Sequence, residues 1–367
     1  MTRPLVSVDP AHPASVRMGL SLALSGGAAI IPTAGPAPTE VVPQKVALVV
    51  ETSGSTGRPK RVMLSSDALL ASAAASDTVL GGPGQWMLAL PAHYIAGINV
   101  LVRSIAADIT PVYLDPTAFS AERFVAAARE LEHPHRLVSL VPAQLARLLE
   151  SPAAVDVLRG FAHVLVGGQS MPSSLAERAH DLAIPVIRTY GSSETSGGCV
   201  YDGVPIGDTR LRITDGRVEI AGSVLAEGYL DDPRRTAFAF RDDGGERWYR
   251  TDDAGELVDG VLRVLGRLDD VIVSGGVKVA LSAVEEIVRS MPGLEAAVVV
   301  AAPHPEWGES PVVVTAVAVD LELVRDAVAA RLGRPAAPSR ILLVDRVPLL
   351  PSGKPDRVGI AALALGG

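Results

Sequence analysis

Through the first two hundred residues, short aliphatic runs recur at intervals filled by amphipathic stretches, and this alternation restricts the fold more than any other feature. Runs at 46–50, 86–90, 110–114, 136–141, 163–166 and 185–190 are dominated by apolar residues and read as strands buried on both faces. Helical spacing fills the gaps, as at 120–131 and 142–149. Buried strands that alternate with helices predict an α/β fold built on a mainly parallel sheet. After about Gly203 the texture changes to short alternating segments at 211–213, 217–220, 255–258 and 261–264, which predict a β-rich subdomain. A smaller α+β unit follows, with helices over 282–290 and 321–332, strands over 296–300 and 312–319, and a short loop at 335–338. A length of 367 residues suits two domains.

Composition removes several classes of function. The single cysteine, Cys199, forbids an intramolecular disulfide, and residues 1–10 lack the charged-then-apolar progression of a secretory signal, so a cytoplasmic location is expected. No apolar run reaches the roughly 20 residues that a membrane-spanning helix needs. The net charge is −8, the lysines and arginines are scattered and only 4% of residues are aromatic, which argues against a nucleic-acid partner. An anionic substrate must therefore be held by local cations.

Directly after the apolar run 46–50 comes Thr52-Ser53-Gly54-Ser55-Thr56-Gly57-Arg58-Pro59-Lys60. Small side chains let backbone N–H groups and hydroxyls converge on phosphate oxygens, and the terminal lysine supplies the opposing charge. The loop reads as a nucleotide-phosphate cradle. It is not a Walker P-loop, which requires Gly-Lys-Ser/Thr where this chain has Pro59-Lys60-Arg61.

The string resembles the phosphate loop of the adenylate-forming superfamily, and further elements follow in the order that this resemblance predicts. Gly167-Gly168-Gln169-Ser170 is similar to the segment that walls the adenine site. Tyr190-Gly191-Ser192-Ser193-Glu194 resembles the family's Tyr-Gly-x-Thr-Glu element, which implies Tyr190 against adenine, Ser193 at the α-phosphate and Glu194, with Thr56 of the loop, on Mg²⁺. Tyr249-Arg250-Thr251-Asp252-Asp253-Ala254-Gly255 is similar to the ribose-binding element; register favours Asp253, and Asp252 stands where the family has glycine, so the ribose ligand is one of these two. Gly266-Arg267-Leu268-Asp269-Asp270 resembles the interdomain junction, with Arg267 contacting nucleotide and Asp269 as the hinge. Gly275 and Gly276 would line the channel for the pantetheine arm of coenzyme A. The stretch Pro348-Leu349-Leu350-Pro351-Ser352-Gly353-Lys354-Pro355-Asp356-Arg357 resembles the element that carries the family's catalytic lysine, here Lys354.

The resemblance implies a large N-terminal domain over 1–268, with its β-rich subdomain, and a small mobile α+β domain over 269–367. It implies ATP, Mg²⁺ and coenzyme A as the reagents, a small carboxylic acid as the partner substrate, and is compatible with a homodimer. The phosphate loop begins near residue 52, earlier than in family members of ordinary size. In this the chain resembles the short synthetases that join o-succinylbenzoate to CoA in menaquinone synthesis. On that reading His93, Tyr94, Gly97, Gly191, Ser192 and Gly198 line the acid pocket, and Arg103 pairs with a carboxylate; the alternative for Arg103 is an ordinary surface arginine. Between His93 and Tyr94, the pocket-lining residue is open. A ligase or adenylating enzyme for another aryl or small acid is the nearest alternative, and a nucleotide-binding module without turnover is the alternative of another class.

Overall fold

A computed structural model describes residues 1–52, 60–115, 119–350 and 355–366. Most of the phosphate loop, and Lys354, lie outside the described residues. By internal contacts the chain forms two compact units, Met1–Met171 with Leu175–Arg212 and Glu219–Arg250, and Pro172–Ser174 with Ile213–Val218 and Thr251–Gly367. The division falls inside one strand, Glu246–Val258, between Arg250 and Thr251.

The first unit contains a seven-stranded sheet and a six-stranded sheet. In the seven-stranded sheet, strands Val112–Tyr113, Gln85–Leu88, Arg136–Leu140, His163–Gly167 and Val186–Ser192 run parallel, and Gly197–Tyr201 and Val204–Pro205 are added antiparallel. Their aliphatic faces meet the helices Ala121–Ala128, Pro142–Leu149 and Pro152–Leu158 in one core that includes Val138, Val164, Phe124, Leu145 and Leu158. The expected strands other than 46–50 are present here; the one expected over 110–114 shortens to two residues, and Val186–Ser192, expected to be buried on both faces, is only partly buried, since Arg188 turns outward to pair with Asp202.

The six-stranded sheet is mixed. Strand Val46–Thr52 is parallel to Ala29–Pro32 and antiparallel to Lys60–Ser65, so the segment 53–59 joins two adjacent antiparallel strands. Strands Thr2–Val8, Val41–Pro43 and Gly228–Tyr229 complete the sheet, and helix Pro13–Leu24 adjoins it. Arg3 is 5% exposed and donates to the carbonyls of Val46, Ala23 and Gly27, so one cation ties a strand, a helix end and a turn together.

In the second unit the strands Val298–His304 and Gly308–Thr315 pair with Val299 opposite Val313. Val299 and Val313 point to a core shared with helices Leu281–Arg289 and Leu321–Leu332, whereas Val298, Val300, Val312 and Val314 point to a core shared with helix Arg357–Gly366. A period of two with both faces buried is why this hairpin is so rich in valine. The first strand runs later than expected and the second ends at Thr315, four residues earlier than the sequence suggested. Among the described residues, no helix is long and apolar enough to cross a membrane.

Candidate active site

The last parallel strand of the seven-stranded sheet ends in Tyr190, Gly191 and Ser192, and the chain reverses through a single 3-10 turn, Ser193–Thr195. Three hydrogen bonds fix this reversal. Ser192 N–H donates to Thr195 Oγ1 at 2.9 Å, Thr195 Oγ1 donates to the Gly197 carbonyl at 2.8 Å, and Ser196, with φ of 53°, sends its hydroxyl to the Val224 carbonyl at 2.8 Å. Gly191 and Gly197 are glycine for want of room. A Cβ on Gly191 would lie 2.0 Å from the Gly197 oxygen, and one on Gly197, where φ is 97°, would lie 2.0 Å from Asn99 Nδ2.

Glu194 is 6% exposed, and its Oε1 accepts the Tyr229 hydroxyl at 2.8 Å. Ser193, beside it, is buried as well. A carboxylate offers about four acceptor sites, so the Tyr229 bond leaves oxygen available for a hard cation. One carboxylate plus substrate phosphates is a common magnesium environment, and Glu194 fits that role. Among the described residues there is no cluster of three or more acidic, cysteine or histidine side chains that would hold a metal alone.

Against this reversal lies the helix Ile95–Ala106, whose residues 95, 99 and 103 share one face. Ile95 faces Gly197, Asn99 Nδ2 donates to the Ser196 carbonyl at 2.9 Å, and Arg103 Nη2 donates to the Tyr201 hydroxyl at 3.2 Å. Ser72 adds a second donor to the Ser196 carbonyl. The structure therefore brings Gly97, Gly191, Ser192, Gly198 and Arg103 into one region of the first unit.

Arg103 is only 3% exposed, so the surface-arginine alternative fails. Its guanidinium lies 4.8 Å from the Trp86 ring centroid, and its Nε is buried with no partner. Among the described residues no carboxylate lies within ion-pairing distance of it. Asp77 is near enough to feel its charge, and burial pushes the Asp77 carboxyl above the usual range. His93 and Tyr94 precede the same helix with ring centroids 4.1 Å apart, and burial holds His93 below its ordinary value, favouring the neutral ring. Cys199, fully buried on the strand that follows the reversal, has its thiol pushed up to about 12 and is no nucleophile at neutral pH.

Gly168, with φ of 82°, follows the strand His163–Gly167, and Gln169 and Ser170 come directly after it. In the second unit, Arg267 makes a two-pronged contact with Asp269 at 2.7 and 2.8 Å and lies 3.5 Å from Asp252 and 3.9 Å from Asp253. These three aspartates hold the arginine firmly protonated. Both ribose candidates thus adjoin Arg267. Gly275 and Gly276 form a turn in which Gly275 N–H donates to the Trp307 carbonyl at 2.9 Å.

The segment 351–354, which holds Lys354, is bracketed by described residues. Leu349 bridges Pro355, Asp356 N–H donates to the Pro348 carbonyl, and Arg357 holds Glu285 with 2.8 Å bonds to both carboxylate oxygens. Ser53, Gly54, Ser55, Thr56, Gly57 and Lys354 lie outside the described residues, whereas Thr52 and Lys60 pair across the strands that flank the loop. Sequence reasoning missed Ser76, Asn99, Tyr201 and Tyr229, which no local motif marks.

The model of the AMP-binding enzyme family matches residues 4–230, and that of the AMP-binding enzyme C-terminal domain matches residues 283–354. A probable 2-succinylbenzoate–CoA ligase of Mycobacterium tuberculosis is 42% identical over 333 residues, spanning 88% of this chain and 85% of that protein. Among solved structures, the amide bond synthetase McbA of Marinactinospora thermotolerans superposes with a TM-score of 0.77 at 27% identity, covering 91% of this chain and 72% of that one. The o-succinylbenzoate CoA synthetase of Bacillus subtilis, solved with its acyl-adenylate intermediate, shares the fold with a TM-score of 0.76 at 24% identity over 97% of this chain and 82% of its own. With the family model covering most of the first unit and its C-terminal counterpart most of the second, this chain belongs to the AMP-binding enzyme family.

Proposed function

We propose that this chain is an AMP-forming acid–thiol ligase that activates o-succinylbenzoate as an acyl-adenylate and passes it to coenzyme A, a step of menaquinone synthesis. The observation that carries the choice of acid is Arg103, a buried cation with no carboxylate within ion-pairing distance among the described residues. A guanidinium withdrawn from water without a carboxylate in contact is unfavourable, and a substrate anion relieves that cost. Monocarboxylic acids spend their one carboxylate on the reaction. A dicarboxylate has a second for Arg103. The 42% identical mycobacterial relative, named for the same acid, supports the reading.

In the first half-reaction the acid carboxylate attacks the α-phosphorus of ATP, a P–O bond forms and pyrophosphate leaves. Lys354 would neutralise charge shared between carboxylate and phosphate, Ser193 would donate to the α-phosphate, and the 52–60 loop would hold the outer phosphates. Mg²⁺, held by Glu194 and Thr56, would supply charge neutralisation on the phosphates. Tyr190 with residues 168–170 would receive adenine, and Asp253 or Asp252, with Arg267, the ribose. In the second half-reaction the coenzyme A thiol attacks the acyl carbonyl and AMP leaves; a turn about Asp269 would withdraw Lys354 and present Gly275 and Gly276.

The deciding experiment measures ATP- and CoA-dependent AMP release with o-succinylbenzoate beside benzoate, salicylate and a medium-chain fatty acid. Strong preference for o-succinylbenzoate is expected. Turnover of a different acid overturns the substrate assignment while keeping the chemistry, and no turnover with any acid favours a binding module.

A further inference from the structure

Arg103 is oriented by a short polar chain that neither sequence motif nor family role marks. An arginine carries only donors, so the Tyr201 oxygen must accept from Nη2 at 3.2 Å. The Tyr201 hydroxyl also shares a hydrogen bond with Ser76 Oγ at 2.7 Å, so a polar chain links Arg103 through Tyr201 to Ser76. All three groups are buried, Ser76 fully and Tyr201 at 4% exposed. They come from three separate elements: the helix Ile95–Ala106, the strand Gly197–Tyr201 and the helix Ser66–Val79.

Two further contacts define what the chain does to the guanidinium. The Trp86 ring lies over it, which fixes its plane, while Tyr201 fixes its rotation within that plane. A Cβ on Gly198, a residue assigned to the acid pocket, would touch the Tyr201 ring at 3.4 Å, so Tyr201 borders the pocket without needing to touch the acid. Asp77 follows Ser76 directly; burial raises its carboxyl above the usual range, and among the described ion pairs it makes none with Arg103.

We infer that Tyr201 and Ser76 are positioning residues that aim Arg103 at the second carboxylate of the acid and thereby set the preference for dicarboxylates. The inference rests on the reading of Arg103 given above.

Tyr201→Phe removes one oxygen and keeps the ring. KM should rise roughly tenfold for o-succinylbenzoate, the scale of one hydrogen bond to a charged group, with KM unchanged for a matched monocarboxylate lacking the non-reacting carboxylate. KM for ATP and kcat should stay within about twofold for both acids. Ser76→Ala should shift the same ratio in the same direction by a smaller factor, and serves alone if the tyrosine variant does not fold. In an Arg103→Ala background, Tyr201→Phe should have no further effect on the ratio. Equal losses on both acids would mean a structural role only and overturn the inference. If Arg103→Ala discriminates between the acids and neither Tyr201→Phe nor Ser76→Ala does, this inference alone fails; if Arg103→Ala does not discriminate, the reading of Arg103 fails first.

Discussion

The contact between Glu285 and Arg357 gives the most quantitative prediction. Glu285 accepts Arg357 Nη2 on both oxygens at 2.8 Å and the Val299 backbone N–H on Oε2 at 2.9 Å, with Arg289 Nη1 3.7 Å from Oε1. Glu285→Gln keeps the volume but turns one acceptor into a donor and leaves two guanidinium groups without the charge that separates them. Removing one partner of a buried ion pair costs about 3–5 kcal/mol, and since the Arg357 side chain is 39% exposed we discount this to about 2–3 kcal/mol. That corresponds to an opening equilibrium about 30- to 160-fold more favourable, at 1.36 kcal/mol per factor of ten. Hydrogen exchange reads it directly. The Val299 amide, and the Ile360 amide that donates to the Asp356 carbonyl in the last helix, should lose protection by that factor, while amides of strand Val46–Thr52 keep theirs. A change below about threefold at both positions refutes the energetic argument. Because Arg357 lies three residues beyond Lys354, the same variant should also slow adenylation more than it slows thioester formation from supplied adenylate.

Lys354→Ala should abolish adenylate formation, followed by pyrophosphate exchange, and largely spare thioester formation from supplied adenylate; equal loss of both half-reactions contradicts the role assigned to it. His93 should titrate below its ordinary 6.5 in ring NMR, since burial lowers its value. Between that lowered value and 6.5 the unfolded chain binds more protons than the folded one, so this group's contribution to stability is present above 6.5 and is lost as pH falls through that window. A midpoint at or above 6.5 contradicts the burial argument.

What could be read from the sequence follows a physical rule. Strands packed in the interior are legible because most residues in them are apolar, and the parallel strands of the seven-stranded sheet and the valine hairpin were accordingly visible. Strand Thr2–Val8 was not, because one of its two fully buried positions is Arg3, and a cation at a core position hides the period-two pattern. Helix Ser66–Val79 hid for another reason: its buried face is mostly alanine and serine, which give little contrast with the exposed face. At the site, Gly191, Ser192, Ser193 and Glu194 are contiguous and form a recognisable string. Tyr229 reaches Glu194 across 35 residues, Asn99 reaches Ser196 across 97 and Ser76 reaches Tyr201 across 125. Contacts of that separation are products of the fold, and no local pattern announces them.

The tight reversal between Ser192 and Gly197 also bears on how such an enzyme can change its diet over evolutionary time. Every residue there has its backbone or side chain committed: to Thr195 Oγ1, to the Gly197 and Val224 carbonyls, to Asn99 and to Ser72. An inserted or deleted residue would break several of these links together and carry Glu194 away from Tyr229. Selection for a new acid is therefore confined to exchanging side chains around a backbone of fixed length. New specificities in this lineage should arise by recolouring the pocket wall, one residue at a time, with the loop itself left unaltered.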